Sequence, residues 1–207
     1  MSIKGFIRTS FLGWPGNVCS VVFLGGCGFR CRACHNPQLV LDPGSLPDFP
    51  LEEILQYLQL RSGWIDGVTV TGGEPTSDRR LPDLLRTFRS LGLRIKLDTN
   101  GALPHVVEGL LDNDLVDAVF MDVKAPLTPE EYAKVAGVPV DVAAIARSID
   151  LLKHSDVEVR FRTTVIPGLV EEGELARIAA ALGDVEHFAI QAFRKLETLD
   201  HSLQDIE

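Results

Sequence analysis

Residues 67–101 read GVTVTGGEPTSDRRLPDLLRTFRSLGLRIKLDTNG. A short β-branched run, GVTVTGG (67–73), gives way to a helix-like stretch, LPDLLRTFRSLG (81–92), and then to a second run, RIKLDTNG (94–101). Strand, helix and strand in that order form a crossover unit, and a right-handed crossover that returns to its own sheet makes the two strands parallel. Each strand also ends on polar or glycine-rich residues, GGEPT and DTNG, where a sheet of this kind presents its chemistry.

The same alternation extends in both directions. On the N-terminal side lie a buried strand, VCSVVFL (18–24), a Pro/Gly-rich linker, DPGSLPDFP (42–50), and a helix from Leu51 to about Ser62 with Leu51, Ile54, Leu55 and Leu58 at helical spacing. On the C-terminal side come a helix over 104–112, a strand over 116–124, a helix-like stretch opened by Thr128 and Pro129 as N-cap and N1, and a helix over 141–154. A strand over 157–166, a helix over 172–183 and a strand over 187–193 complete the series. Six strands, five of them linked by helices, are too few for a closed eight-stranded barrel. The expectation is an α/β fold: a partial (β/α)6 TIM-like barrel with a parallel sheet, an open side, and its site at the strand C-terminal ends. No shift in composition marks a second domain, so residues 1–207 are expected to form one domain, with a core over about 17–194 and a short C-terminal tail.

The chain carries 20 Lys and Arg against 29 Asp and Glu, a formal net charge of −9, and no segment concentrates basic residues into a stripe. Nucleic acid is therefore not expected as a partner. The N-terminus lacks the apolar core and cleavage site of a secretory signal, and no apolar run approaches the roughly 18 residues needed to span a bilayer. No membrane association and a cytoplasmic location are expected, and in a reducing cytosol clustered thiols hold metal or carry redox chemistry more often than they form disulfides.

Three of the four cysteines, Cys27, Cys31 and Cys34, fall in FLGGCGFRCRACHNPQLV (23–40) with the spacing C-x3-C-x2-C, just past the end of the first strand. Gly28 lets the loop wrap tightly. Spacing alone leaves three readings: an iron–sulfur cubane with one iron not ligated by protein, a zinc ion completed by His35 or Cys19, or unligated thiols. Cys19 lies inside the strand and is expected to pack as a small hydrophobe.

The cysteine motif, followed by Gly72-Gly73-Glu74-Pro75 at the end of the next strand, resembles that of the radical S-adenosylmethionine (SAM) enzymes. More narrowly, TSFLGWPG, CHNPQLV, GVTVTGGEPT, KLDTNG, MDVKAP and RTTVIPG resemble the activases of anaerobic ribonucleotide reductase and of pyruvate formate-lyase, over residues 6 to about 194. The resemblance implies a [4Fe-4S] cluster held by Cys27, Cys31 and Cys34, whose fourth iron binds the amino and carboxylate groups of SAM. Reductive cleavage of SAM then yields a 5′-deoxyadenosyl radical that abstracts hydrogen from a glycyl-radical enzyme, with flavodoxin or ferredoxin as electron donor and no protein residue as catalyst.

By the same resemblance Gly72, Gly73, Glu74 and Pro75 hold the methionine end of SAM, with the Glu74 carboxylate toward its ammonium. Asp98 and Thr99, followed by Asn100, join Asp122 around a monovalent cation, and Lys124 faces the SAM carboxylate. Beyond the resemblance, Arg162 on the fifth strand is a candidate to contact SAM or the target, and Gln191 in the last strand to line the adenosine pocket. The alternatives for these positions are an Asp122–Lys124 surface pair and a solvent-facing Arg160 and Arg162, which strand alternation puts on one face. The residue before the third cysteine, aromatic in the family, is Ala33 here, so adenine must be held differently. With three of four cysteines used, no auxiliary cluster is available. The competing functions are a radical SAM enzyme for a small molecule, similar to 7-carboxy-7-deazaguanine synthase, and a non-catalytic zinc-binding module.

Overall fold

The computed structural model describes residues 2–183, 187–194 and 198–204. Among them seven strands form one open sheet, paired in sequence order. They are β1 (Ile3–Ser10), β2 (Cys19–Leu24), β3 (Gly67–Gly72), β4 (Arg94–Thr99), β5 (Ala118–Asp122), β6 (Glu158–Val165) and β7 (Phe188–Ala192). From β2 onward every pairing is parallel, as the crossover units require, while β1 runs antiparallel along the outer edge of β2. The helices are α1 (Pro37–Leu41), α2 (Leu51–Leu60), α3 (Leu81–Arg89), α4 (Pro104–Asp112), α5 (Pro129–Ala136), α6 (Val142–Lys153) and α7 (Glu172–Leu182). The six expected strands are β2 to β7.

Two elements depart from the sequence reading. β1 carries Lys4, Gly5 and Arg8 among few apolar residues, and no helix follows it. An edge strand needs only one neighbour, and charged residues along it discourage a further strand from adding, so it lacks the apolar signal of a buried strand. α1 is one short turn of helix within the segment that follows the cysteines.

Alternation along the strands separates two environments. Val68, Val70, Ile95, Leu97, Val119, Met121 and Phe161 face the helices and join their buried stripes, such as Leu81, Leu84, Leu85 and Phe88 of α3, in the main core. On the inner face, Cys19 and Val21 of β2 and Ala118 and Phe120 of β5 form a smaller core around Trp14, which is fully buried. The Trp14 indole Nε1 donates to Glu158 Oε2 at 3.0 Å, and the Arg94 guanidinium stands 4.6 Å from its ring centroid. This plug fills the end of the sheet where the strands begin. Thr128 is the N-cap of α5 and Pro129 opens the helix, as expected, but the hydroxyl donates to Glu131 Oε2 at 2.6 Å instead of capping a backbone N–H.

Candidate active site

At the opposite end, where the strands run out, residues from the β2, β3, β4, β5 and β6 ends and from β7 line one cavity of about 250 Å³. Its walls include Cys27, Cys31, Cys34, Gly72, Gly73, Glu74, Asp98, Thr99, Asn100, Asp122, Lys124, Arg162 and Gln191. Pro75 does not line it; it is buried and opens the turn that follows Glu74. Thr71, Thr164, Val40, Val135 and Ile166 also contribute to the wall. No role was expected of these five, although Val40, Thr71, Thr164 and Ile166 fall within the quoted motifs, because a single Thr, Val or Ile carries no chemical signature of its own.

The cysteine loop is held by backbone from three directions. Arg30 N donates to Ala136 O at 2.8 Å and Arg32 N to Val135 O at 3.2 Å, both at the end of α5. Gly26 turns the chain with φ 94°, whereas Gly28 has an ordinary φ and open space around it, so the tight turn falls two residues earlier than the sequence reading placed it. From the C-terminal segment, Leu199 N donates to Cys34 O at 3.1 Å and Asp200 N to Arg32 O at 2.9 Å. The Arg32 Nε–Asp200 Oδ2 pair closes at 2.6 Å, and His35 stacks on Phe193 with ring centroids 5.9 Å apart. The described part of the tail therefore docks on the cysteine loop; residues 195–197 and 205–207 lie outside the described residues.

All three loop thiols are free and half-buried. Phe29 N donates to Cys27 Sγ at 3.3 Å, and Asn100 Nδ2 lies 3.9 Å from the same sulfur. Burial pushes the Cys31 thiol up to about 11, against the pull of the Lys124 ammonium, and raises Cys27 as well. Cys19 is fully buried in the plug, its Sγ donating to Ser10 O at 3.6 Å, and does not reach the cavity. Among the described residues no three His, Cys, Asp or Glu side chains converge as the ligands of one ion.

The GGEP turn is fitted to this loop. Gly73 N donates to Leu24 O at 2.9 Å and Glu74 N to Gly26 O at 2.8 Å. A Cβ on Gly72 would lie 2.3 Å from Leu24 O, and one on Gly73 would lie 2.1 Å from Gly26 O. The glycines thus allow two backbones to approach closely while both still line the cavity. The Glu74 carboxylate, only 3% exposed, is also engaged internally. Its Oε1 accepts from Thr76 N at 3.1 Å, Thr76 Oγ1 at 2.6 Å and Thr99 Oγ1 at 2.7 Å, and its Oε2 accepts from Asn100 N at 2.7 Å. Burial raises its pKa while these four donors oppose the shift. Glu74 ties the end of β3 to the end of β4 and so sets the spacing between the two loops.

Across the inner face runs a chain of charges. Lys96 Nζ lies 2.6 Å from Asp98 Oδ1, which Arg162 Nη1 also approaches at 3.2 Å. Arg162 Nε reaches Asp122 Oδ1 at 2.7 Å, and Lys124 Nζ reaches Asp122 Oδ2 at 3.0 Å. Arg160 and Arg162 do share a face, both guanidiniums standing over the Phe120 ring at 4.8 and 5.7 Å. Burial alone would raise the Asp122 carboxyl, but Lys124 and Arg162 hold it well below the carboxylate range. Burial alone would lower Lys124 and Arg162, but Asp122 holds both above their ordinary values. Three cations thus serve two carboxylates, leaving one unit of positive charge beside the cavity. Asp122 and Lys124 pair as the surface-pair alternative expects, and the pair stands at the wall of the cavity.

Comparison with known proteins places these features in one group. The family model described as the radical SAM superfamily matches residues 21–179. A Methanocaldococcus jannaschii protein named as a glycyl-radical enzyme activating enzyme is 30% identical over 99% of this chain and 85% of its own length. A pyruvate formate-lyase-activating enzyme of Clostridium pasteurianum is 29% identical over 93% of this chain and 85% of its own. Among solved structures, Streptococcus suis SuiB bound to its precursor peptide SuiA superposes with a TM-score of 0.63 at 17% identity, covering 84% of this chain but 39% of SuiB. That likeness is one of fold.

Proposed function

Because the chain belongs to the radical SAM superfamily, we propose that it is a glycyl-radical enzyme activase whose target is an anaerobic ribonucleotide reductase or a related glycyl-radical enzyme. The observation that carries this reading is the interlock of the two motifs: the cysteine loop and the GGEP turn hydrogen-bond backbone to backbone and open on one cavity. Enzymes of this superfamily use a [4Fe-4S] cluster and SAM, and the residues present fit both.

Cys27, Cys31 and Cys34 would hold the cluster: they are unpaired, lie on one wall, and are soft donors suited to iron–sulfur sites. Their thiols must lose protons to bind it, and the Lys124 ammonium favours the thiolate at Cys31. When bound, the cluster would supply the electron for reductive cleavage of SAM, the chemistry that starts hydrogen abstraction from the target. The surplus positive charge on Lys124 and Arg162 suits the SAM carboxylate, and backbone at Gly72 and Gly73 is available to its ammonium, since the Glu74 side chain is occupied. Asn100 supports Cys27, Pro75 fixes the turn after Glu74, and Gln191 with the apolar Val135 and Ile166 offers the nucleoside a wall in place of the aromatic residue that Ala33 lacks. Flavodoxin or ferredoxin supplies the electron, and the cytoplasm is the setting, where reducing conditions keep these thiols free.

The test is anaerobic reconstitution followed by mixing the reduced protein, SAM and anaerobic ribonucleotide reductase. A glycyl-radical doublet in the electron paramagnetic resonance spectrum is expected. SAM cleavage without that doublet would remove the reductase as target; bound iron without SAM cleavage would remove the activase reading altogether.

A further inference from the structure

Lys96 is a charged residue in the barrel interior that the cleavage chemistry does not use. It is 1% exposed, its Nζ lies 2.6 Å from Asp98 Oδ1, and the same ammonium stands 4.3 Å from the centroid of Phe120. A lysine in so dry a place is costly unless its charge is matched, and here one carboxylate and one aromatic face match it. The family resemblance called for a monovalent cation at this spot, held by Asp98, Thr99 and Asp122.

These residues do not fit such an ion. Asp98 Oδ1 already receives the Lys96 ammonium and the Arg162 guanidinium. Both oxygens of Asp122 are taken, Oδ1 by Arg162 and Oδ2 by Lys124. The Thr99 hydroxyl donates to Glu74 and accepts from Gly101 N at 3.1 Å, which alternation places on the face away from Asp98. An added cation would find both Asp122 oxygens and Asp98 Oδ1 already taken and three positive side chains around them.

We propose that the buried Lys96 ammonium, with the Arg162 guanidinium, is this chain's built-in replacement for the monovalent cation, so that its SAM site assembles without sodium or potassium. Lys96 is a positioning residue: it holds Asp98, and through the shared Arg162 it fixes Asp122 and Lys124 at the cavity wall. The inference rests on the proposed SAM site, and part of its test is independent of SAM.

In reconstituted protein, the SAM dissociation constant is measured in tetramethylammonium, sodium and potassium chloride at matched ionic strength, and the sodium-23 line width is followed without SAM. The wild-type constant is expected to vary by less than about twofold among the salts, without potassium-reversible broadening of the sodium line. Lys96→Met, which removes the ammonium and keeps the length, is expected to bind SAM roughly fivefold or more weakly in tetramethylammonium and to recover in sodium or potassium. A wild-type constant that tightens fivefold with either ion, or a sodium signal displaced by potassium, would overturn the proposal. So would a folded Lys96→Met protein as indifferent to salt as the wild type. If that variant does not fold, the wild-type sodium signal decides. Failure to bind SAM in every salt would count against the proposed function and leave the sodium measurement standing.

Discussion

Replacing Gly73 by alanine places one methyl group where the two motifs meet. The new Cβ would lie 2.1 Å from Gly26 O and 2.7 Å from Gly26 C, both backbone atoms with no rotamer to change. Bringing the oxygen contact to the ~3 Å minimum of ordinary Cβ contacts separates the strands by about 1 Å. That displacement breaks the 2.8 Å bond from Glu74 N to Gly26 O and weakens the 2.9 Å bond from Gly73 N to Leu24 O. An orphaned buried N–H costs about 1–3 kcal/mol, and forced overpacking another 1–3, so a loss of about 2–6 kcal/mol is expected. For a chain of this size that lowers the melting temperature by roughly 5–20 °C. Catalysis should suffer more than stability, since a 1 Å misplacement of reacting groups costs roughly 100-fold. The assays are differential scanning fluorimetry and 5′-deoxyadenosine production by reconstituted protein. Gly109→Ala, on α4 with open space around its Cβ, is the control and should leave stability unchanged or raise it by about 0.5–1 kcal/mol. Wild-type melting and turnover in Gly73→Ala would show that the two loops are not interlocked as described.

Cys31→Ala should lose bound iron and SAM cleavage together; substantial remaining turnover would remove the cysteine from the ligand set. The Asp122 carboxyl is depressed in the folded protein, so the stability it contributes is complete above the ordinary aspartate value near 4 and declines as pH falls through and below that value. Asp122→Asn should therefore be less stable at neutral pH and show a shallower acid loss, read from urea midpoints across the acid range; equal slopes for both proteins would refute the assignment. Truncation before Thr198 removes the bonds from Leu199 N and Asp200 N to the cysteine loop. Such a protein should surrender iron to a chelator several-fold faster, and an unchanged release rate would mean the tail does not brace the loop.

The strand ends were legible because polar groups recurring after apolar runs are rare except where strands converge on a site. Thirteen of the fourteen expected site residues line one cavity for that reason. Lys96 was not legible: in RIKLD it occupies the alternate position that in a half-exposed strand faces water, and only curvature of the sheet turns that face inward. The backbone fit at Gly73 and the internal hydrogen bonds of Glu74 were not legible for a related reason. Their sequence shows freedom and charge, but whether a backbone or a ligand stands opposite depends on the register of β2 against β3. The docking of the tail carries no periodic signal, since it rests on scattered contacts: two backbone bonds, one ion pair, one ring stack, the His35–Arg194 hydrogen bond and the burial of Leu203.

The clasp on the cysteine loop joins residues 168 positions apart, Arg32 and Asp200. During synthesis the chain emerges from its N-terminus, so the three thiols leave the ribosome long before the segment that braces them. The loop is then without its brace until Leu199 and Asp200 have been made, after the segments that carry Gly73 and Asn100. Iron delivered early would meet mobile thiols, and iron delivered late would meet a braced cradle.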